Sequence, residues 1–257
     1  MQRTSVAPST PERVITACKV RHMVNKDIDK SYKFCSEDGH GKQIIRDPAM
    51  IEAESMRRIT EELRETGTGW HEPELPVVRR VIHTTADFDF ARSMFFSPGA
   101  VEAGRDALRA GKSIVTDTNM ALAGISRPSA ERYNNEAVCF MADPKIAQTA
   151  RDAGSTRAYA AMGYAAERFP DAVYVVGNAP TALIRLEELI RSGSFLPSLI
   201  IAVPVGFVNV VESKERIRSA CLDRNIPIIA AMGRKGGSTV AAAIVNALFY
   251  GINAHCK

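Results

Sequence analysis

The chain has 257 residues, 46% of them hydrophobic and 24% charged, a composition that excludes a disordered or membrane-embedded polymer and allows one sizeable core. Its formal charge of +4 sits in the N-terminal part: residues 1–46 hold nine Lys or Arg against five Asp or Glu, leaving 24 of each for 47–257, without the basic face that nucleic acid requires. Five dispersed cysteines (Cys18, Cys35, Cys139, Cys221, Cys256) suit reduced thiols, no apolar run approaches the roughly 20 residues of a membrane span, and no secretory core follows the start, so a cytoplasmic protein is expected.

Residues 1–45 lack an apolar period and read as a partly ordered extension; one domain is expected over 46–257. Asp47-Pro48 opens a helix on which Ile51, Ser55, Ile59 and Leu63 recur at helical spacing, with Ser55 a polar interruption. Val77–His83, Ser113–Thr116, Ala137–Met141, Ala172–Gly177, Leu199–Val205 and Ile226–Met232 read as strands, mostly apolar as expected for strands covered on both faces. Ser97-Pro98, Asp143-Pro144 and Asn178-Ala179-Pro180 mark helix starts between them, and Gly111 and Gly193 mark stops. This alternation predicts a three-layer α/β fold with a doubly wound, mostly parallel sheet of about six strands.

Ligands of such sheets bind beyond the carboxyl ends of the strands. The segments there are His83-Thr84-Thr85-Ala86-Asp87, Asp117-Thr118-Asn119, Gly177-Asn178-Ala179-Pro180-Thr181, Pro204–Phe207 and Gly233-Arg234-Lys235-Gly236-Gly237-Ser238. The last places two cations and Gly-Gly-Ser before an Ala-rich helix, Thr239 to Tyr250, a pattern suited to a carboxylate or phosphate; a tight turn with solvated charges is the plainer alternative. His83, at the end of its predicted strand, is the best proton-transfer candidate, although a lone histidine is more often structural; Asp87 and Asp89 are placed to act on it, and a solvated helix start explains them equally well. Arg157 stands at a helix start, where a cation gains nothing locally and a bound anion would justify it; a plain surface arginine is the equal alternative. Cys18, His22, Cys35 and His40 do not have a zinc spacing. There is no P-loop, G-x-G-x-x-G or G-x-S-x-G, and Asp38-Gly39-His40-Gly41 departs from a corrinoid-ligating motif at Gln43.

Six blocks in order resemble the precorrin-8X and cobalt-precorrin-8 methylmutases: Val81–Phe90, Thr116–Leu122, Gly177–Leu183, Val203–Val208, Glu212–Glu215 and Gly233–Ser238 continuing through Asn246–Leu248. The resemblance spans about residues 44–251. It implies an isomerase of cobalamin synthesis that moves a methyl group from C11 to C12 of a corrin precursor, without cofactor or metal ligands. His83 is then the proton donor. Ser55 and Arg157 are substrate contacts by the same resemblance; Thr85, Asp117 and Asn178 are further expected substrate contacts, and Arg157, Lys235 and the Gly236-Gly237-Ser238 amides are expected to meet the acetate and propionate arms. A homodimer with its active site near the interface is also implied, and the His-Thr-Thr-Ala-Asp-Phe-Asp form resembles the cobalt-containing branch. Two other classes stay open: a non-catalytic corrinoid carrier, and a nucleotide-dependent enzyme using the 233–238 loop.

Overall fold

The computed structural model describes residues 35–37 and 43–254. Cys18, His22, His40 and Asp38–Gly41 lie outside them, as does most of the 1–45 segment. By contacts the chain divides into units 1–53 and 54–257. In the first, β1 (Cys35–Glu37) and β2 (Gln43–Ile45) pair antiparallel, and Asp47 Oδ1 accepts from Met50 N at 2.9 Å, as the expected cap of α1 (Pro48–Glu65).

The second unit is an α/β layer structure. Its helices are α2 (Leu75–Thr85), α3 (Phe90–Ser93), α4 (Ala100–Arg109), α5 (Asn119–Gly124), α6 (Arg127–Arg132), α7 (Pro144–Asp152), α8 (Arg157–Arg168), α9 (Pro180–Arg191), α10 (Val210–Asp223) and α11 (Ser238–Ala254). Its strands are β3 (Met94–Phe96), β4 (Ile114–Thr116), β5 (Ala137–Val138), β6 (Val173–Val176), β7 (Leu199–Ala202) and β8 (Ile228–Ala231), in sheet order β3-β8-β7-β6-β4-β5. All pairs are parallel except β3 with β8. Covered strands need apolar residues on both faces, and the core shows why. Val173, Val175, Leu199, Ile201, Ile229 and Ala231 join one cluster with α2, α4 and α11; Tyr174, Val176, Ile200, Ala202, Ile228 and Ala230 join the other with α8, α9 and α10.

One expected strand is a helix. Val77–His83 lies within α2, so His83 occupies the last turn of a helix, not the tip of a strand. The β-branched content of Val77-Val78 and Val81-Ile82 is misleading; their spacing is decisive. These four are buried against α11 and its neighbours while Arg79 and Arg80 are half-buried, a pattern of period 3.6 that strand alternation does not produce. Pro76 occupies the first turn, where its missing N–H costs nothing. The sixth strand is β3, a three-residue antiparallel edge. Ser97 does not cap α4, which starts after Gly99; its hydroxyl accepts from Ile228 N at 3.0 Å and so secures the edge pair instead. Asp143 caps α7 through Lys145 N, whereas no side chain of its own caps α9 at Ala179. Gly111 and Gly193, at φ 75° and 78°, follow α4 and α9 as expected.

Ile82→Ala, on the buried face of α2, should lower the unfolding free energy by about 2–5 kcal/mol in denaturant melts. A loss below about 0.5 kcal/mol would mean that this face is not core.

Candidate active site

The parallel strands β4, β6, β7 and β8 end on the same edge, so their following loops converge there. Backbone approaches backbone closely at two points. A Cβ on Gly177 would lie 2.8 Å from Ser238 Cα, and one on Gly236 only 2.1 Å from the Val203 carbonyl oxygen. Glycine is required at both positions because only hydrogen fits.

Buried polar groups hold the loops in place. Asp117, with no exposed surface, accepts hydrogen bonds from the N–H groups of Gly177, Asn178 and Ala179 at 2.8, 2.8 and 2.7 Å. It thereby supplies the acceptor that α9 lacks at its own start. Burial pushes the Asp117 carboxyl pKa up, and the three N–H donors pull it the other way. Thr118 caps α5 through Ala121 N and bonds the Ser238 hydroxyl at 2.8 Å, tying β4 to the start of α11. Gly237 N donates to Val203 O at 2.9 Å.

These bonds engage part of the expected anion cradle within the chain. The Asp117 carboxylate is buried and claimed by three backbone N–H groups. The Gly237 amide and the Ser238 hydroxyl are likewise engaged within the chain, and Gly236 gives close packing. The Thr85 hydroxyl donates to Val81 O at 2.9 Å, folding back on its own helix. The Lys235 ammonium bridges Asp87 and Asp89 at 2.6 Å each, which raises its pKa and lowers that of Asp87. The two aspartates therefore serve Lys235, which joins the 233–238 loop to the turn after α2.

His83 is exposed in the last turn of α2, which ends at Ala86 in a left-handed conformation with φ 52°. Among the described residues its imidazole has no hydrogen bond or ion pair, in contrast to Thr84, Thr85, Asp87 and Asp89 around it. Asn178 is exposed, with its backbone N–H held by Asp117. Arg157 is exposed at the first position of α8, and Thr156 before it bonds Thr181 at 2.7 Å, so α8 and α9 start side by side. Ser55 is half-buried on α1. Met120, Val205, Phe207 and Val208 stand exposed on the same loops or just beyond them, Phe207 at 84% with Arg234 over its ring.

A residue not singled out from the sequence anchors this edge. Lys214, fully buried on α10, donates from Nζ to the carbonyls of Gly233 and Lys235, both at 2.8 Å. Its signal was present: Val210, Ser213, Lys214, Ile217 and Cys221 share the buried stripe of α10, and a lysine there needs a reason.

Residues 50–251 match the family model of precorrin-8X methylmutase. The chain belongs to the precorrin-8X methylmutase family. It is 44% identical over 213 residues to the cobalt-precorrin-8 methylmutase of Salmonella typhimurium, covering 80% of this chain and 96% of that protein. The cobalt-precorrin-8 methylmutase of Priestia megaterium is 39% identical over 210 residues, 80% and 89% of the two chains. The crystal structure of precorrin-8X methyl mutase from Thermus thermophilus superposes with a TM-score of 0.69 at 42% identity, covering 80% and 98%. The methylmutase match takes in both His83 and the Lys214-anchored loop.

Burial lowers the Lys214 pKa from 10.5 to about 8. Between those values the unfolded chain binds a proton that the folded chain has released, so the contribution of this group to stability rises with pH across that window. Denaturant unfolding at about pH 7.5 and 9.5 should show the parent gaining stability relative to Lys214→Met as pH rises. An unchanged difference would place Lys214 outside the buried setting described.

Proposed function

We propose that the chain isomerises a precorrin-8-type macrocycle by moving a methyl group from C11 to C12, with His83 as the proton donor. Family membership supports the reaction. The observation that carries the residue assignment is that His83 stands exposed and, among the described residues, unengaged at an edge where its polar neighbours are already bonded.

The chemistry needs little more than a placed proton. An imidazolium beside a ring nitrogen protonates it and draws electrons from the conjugated system, which eases the 1,5-shift; the same nitrogen returns the proton afterwards. No net proton or electron is consumed, as an isomerisation requires. Arg157 and Arg234 offer charge to the carboxylate arms, Asn178 and Ser55 offer hydrogen bonds, and Phe207 and Val208 offer apolar surface to the ring face. Lys235 contributes through the Asp87–Asp89 bridge. Domain 46–257 carries this activity, with 1–45 an extension, and the matched span of 50–251 supports that division.

The substrate in this reading carries cobalt, in keeping with the motif form around His83 and the names of the two relatives. The enzyme works as a homodimer whose partner covers the apolar loop tips at the open edge. No helix among the described residues is long and apolar enough to cross a membrane, and the reading places the enzyme in the cytoplasm.

His83→Ala is expected to reduce kcat by about 10²–10⁴-fold, followed by the absorbance change on conversion of precorrin-8, while product binding persists. Run side by side, cobalt-loaded precursor should turn over faster than the metal-free form. Unchanged turnover in the variant refutes the role of His83, and product binding without turnover in the parent protein indicates a carrier. Light scattering should give twice the 28.0 kDa chain mass. A monomer at assay concentration rejects the dimer.

A further inference from the structure

Away from the loop edge, a cavity of about 810 Å³ opens between α2, α4 and α11. Four arginines line it, Arg79, Arg80, Arg105 and Arg109, against three carboxylates, Glu72, Glu102 and Asp106. Asp106 is paired with Arg109. Neither Glu72 nor Glu102 forms an ion pair with Arg79 or Arg105 among the described residues. Arg80 lies over the Tyr250 ring at 5.0 Å, and Pro73, Pro76, Met56 and Ala247 add apolar wall.

Arg105 is the unusual group. It is only 6% exposed, its Nε is buried without a hydrogen-bond partner, and no ion pair compensates it among the described residues. Its guanidinium lies flat on α11 at Gly251, where a Cβ would stand 2.3 Å from Nε. Arg79 Nε is also buried and unpartnered, although its Nη1 reaches Thr60 at 3.2 Å. A buried lysine relieves its burial by losing a proton, as Lys214 does in part; a guanidinium keeps its charge at any accessible pH. Both side chains line one cavity, and a planar guanidinium matches the geometry of a carboxylate. The cavity volume falls in the range of small-molecule sites, and its mixed walls suit an organic body bearing that charge.

We infer that this cavity is an anion site, built on Arg105 and Arg79, for a carboxylate group of an organic acid. The carboxylate comes either from an arm of the macrocycle or from a free organic acid. The first source rests on the methylmutase reading; the site itself does not.

The probe is propane-1,2,3-tricarboxylate, titrated by calorimetry into the full chain, with inorganic phosphate in parallel. One molecule should bind per chain, and Arg105→Gln should weaken it by about tenfold or more through loss of a charge-assisted pair. Arg79→Gln should do the same, which keeps the test decisive if the first variant does not fold. No binding to the parent, or equal binding to parent and folded variants, overturns the site. A raised KM for precorrin-8 in the variants with kcat kept assigns the carboxylate to a substrate arm. Lost tricarboxylate binding with unchanged KM assigns it to a free acid. Binding is read without turnover, so failure of the catalytic reading leaves this test intact.

Discussion

The Lys214 ammonium holds the edge at which chemistry is possible. A parallel sheet covered on both faces leaves only its strand ends for ligands, and the loops there must satisfy their carbonyls without a ladder partner. The 233–238 loop follows a path too tight for side chains at Gly236, and two of its carbonyls turn inward, where Lys214 meets them. With the loop held, Lys235 reaches Asp87 and Asp89. Through that bridge α10 fixes the turn after α2 and so the surroundings of His83, although neither Lys214 nor the bridge touches it.

Most of the sheet was legible because two-sided burial writes itself plainly: Val173–Val176, Leu199–Ala202 and Ile228–Ala231 are unbroken apolar runs. Segment 77–83 misled because β-branched residues weigh toward strands, whereas the paired arginines already marked a helical period. Strand β3 was not legible, since three residues of Met and Phe before a proline carry no alternation. In the site, residue types were readable but bonding was not. Asp117, Ser238 and the Gly237 amide look like ligand groups in the chain, and only the fold shows them claimed by backbone or by Thr118. Lys214 lies on the apolar stripe of α10, and that placement marks it as a buried cation.

Lys214 and Arg105, both buried, illustrate different solutions to one problem. Lys214 spends its donors on carbonyl oxygens and lowers its proton affinity; Arg105 cannot neutralise and lies against a helix backbone. Burial in one case fixes a loop and in the other faces a cavity. Charge inside this protein therefore cannot be read by exposure alone, because the same depth serves architecture or recognition according to what the donors meet.

The placement of His83 on a helix has a consequence for how its segment tolerates change. Each helical residue turns the chain by about 100°, so the direction of the imidazole depends on the residue count from the start of α2. A strand absorbs a two-residue slip with its faces preserved. Here a deletion of one residue between Pro76 and His83 would rotate the imidazole away and drive Arg79 or Arg80 toward the core. Length in this short stretch is therefore constrained as tightly as identity.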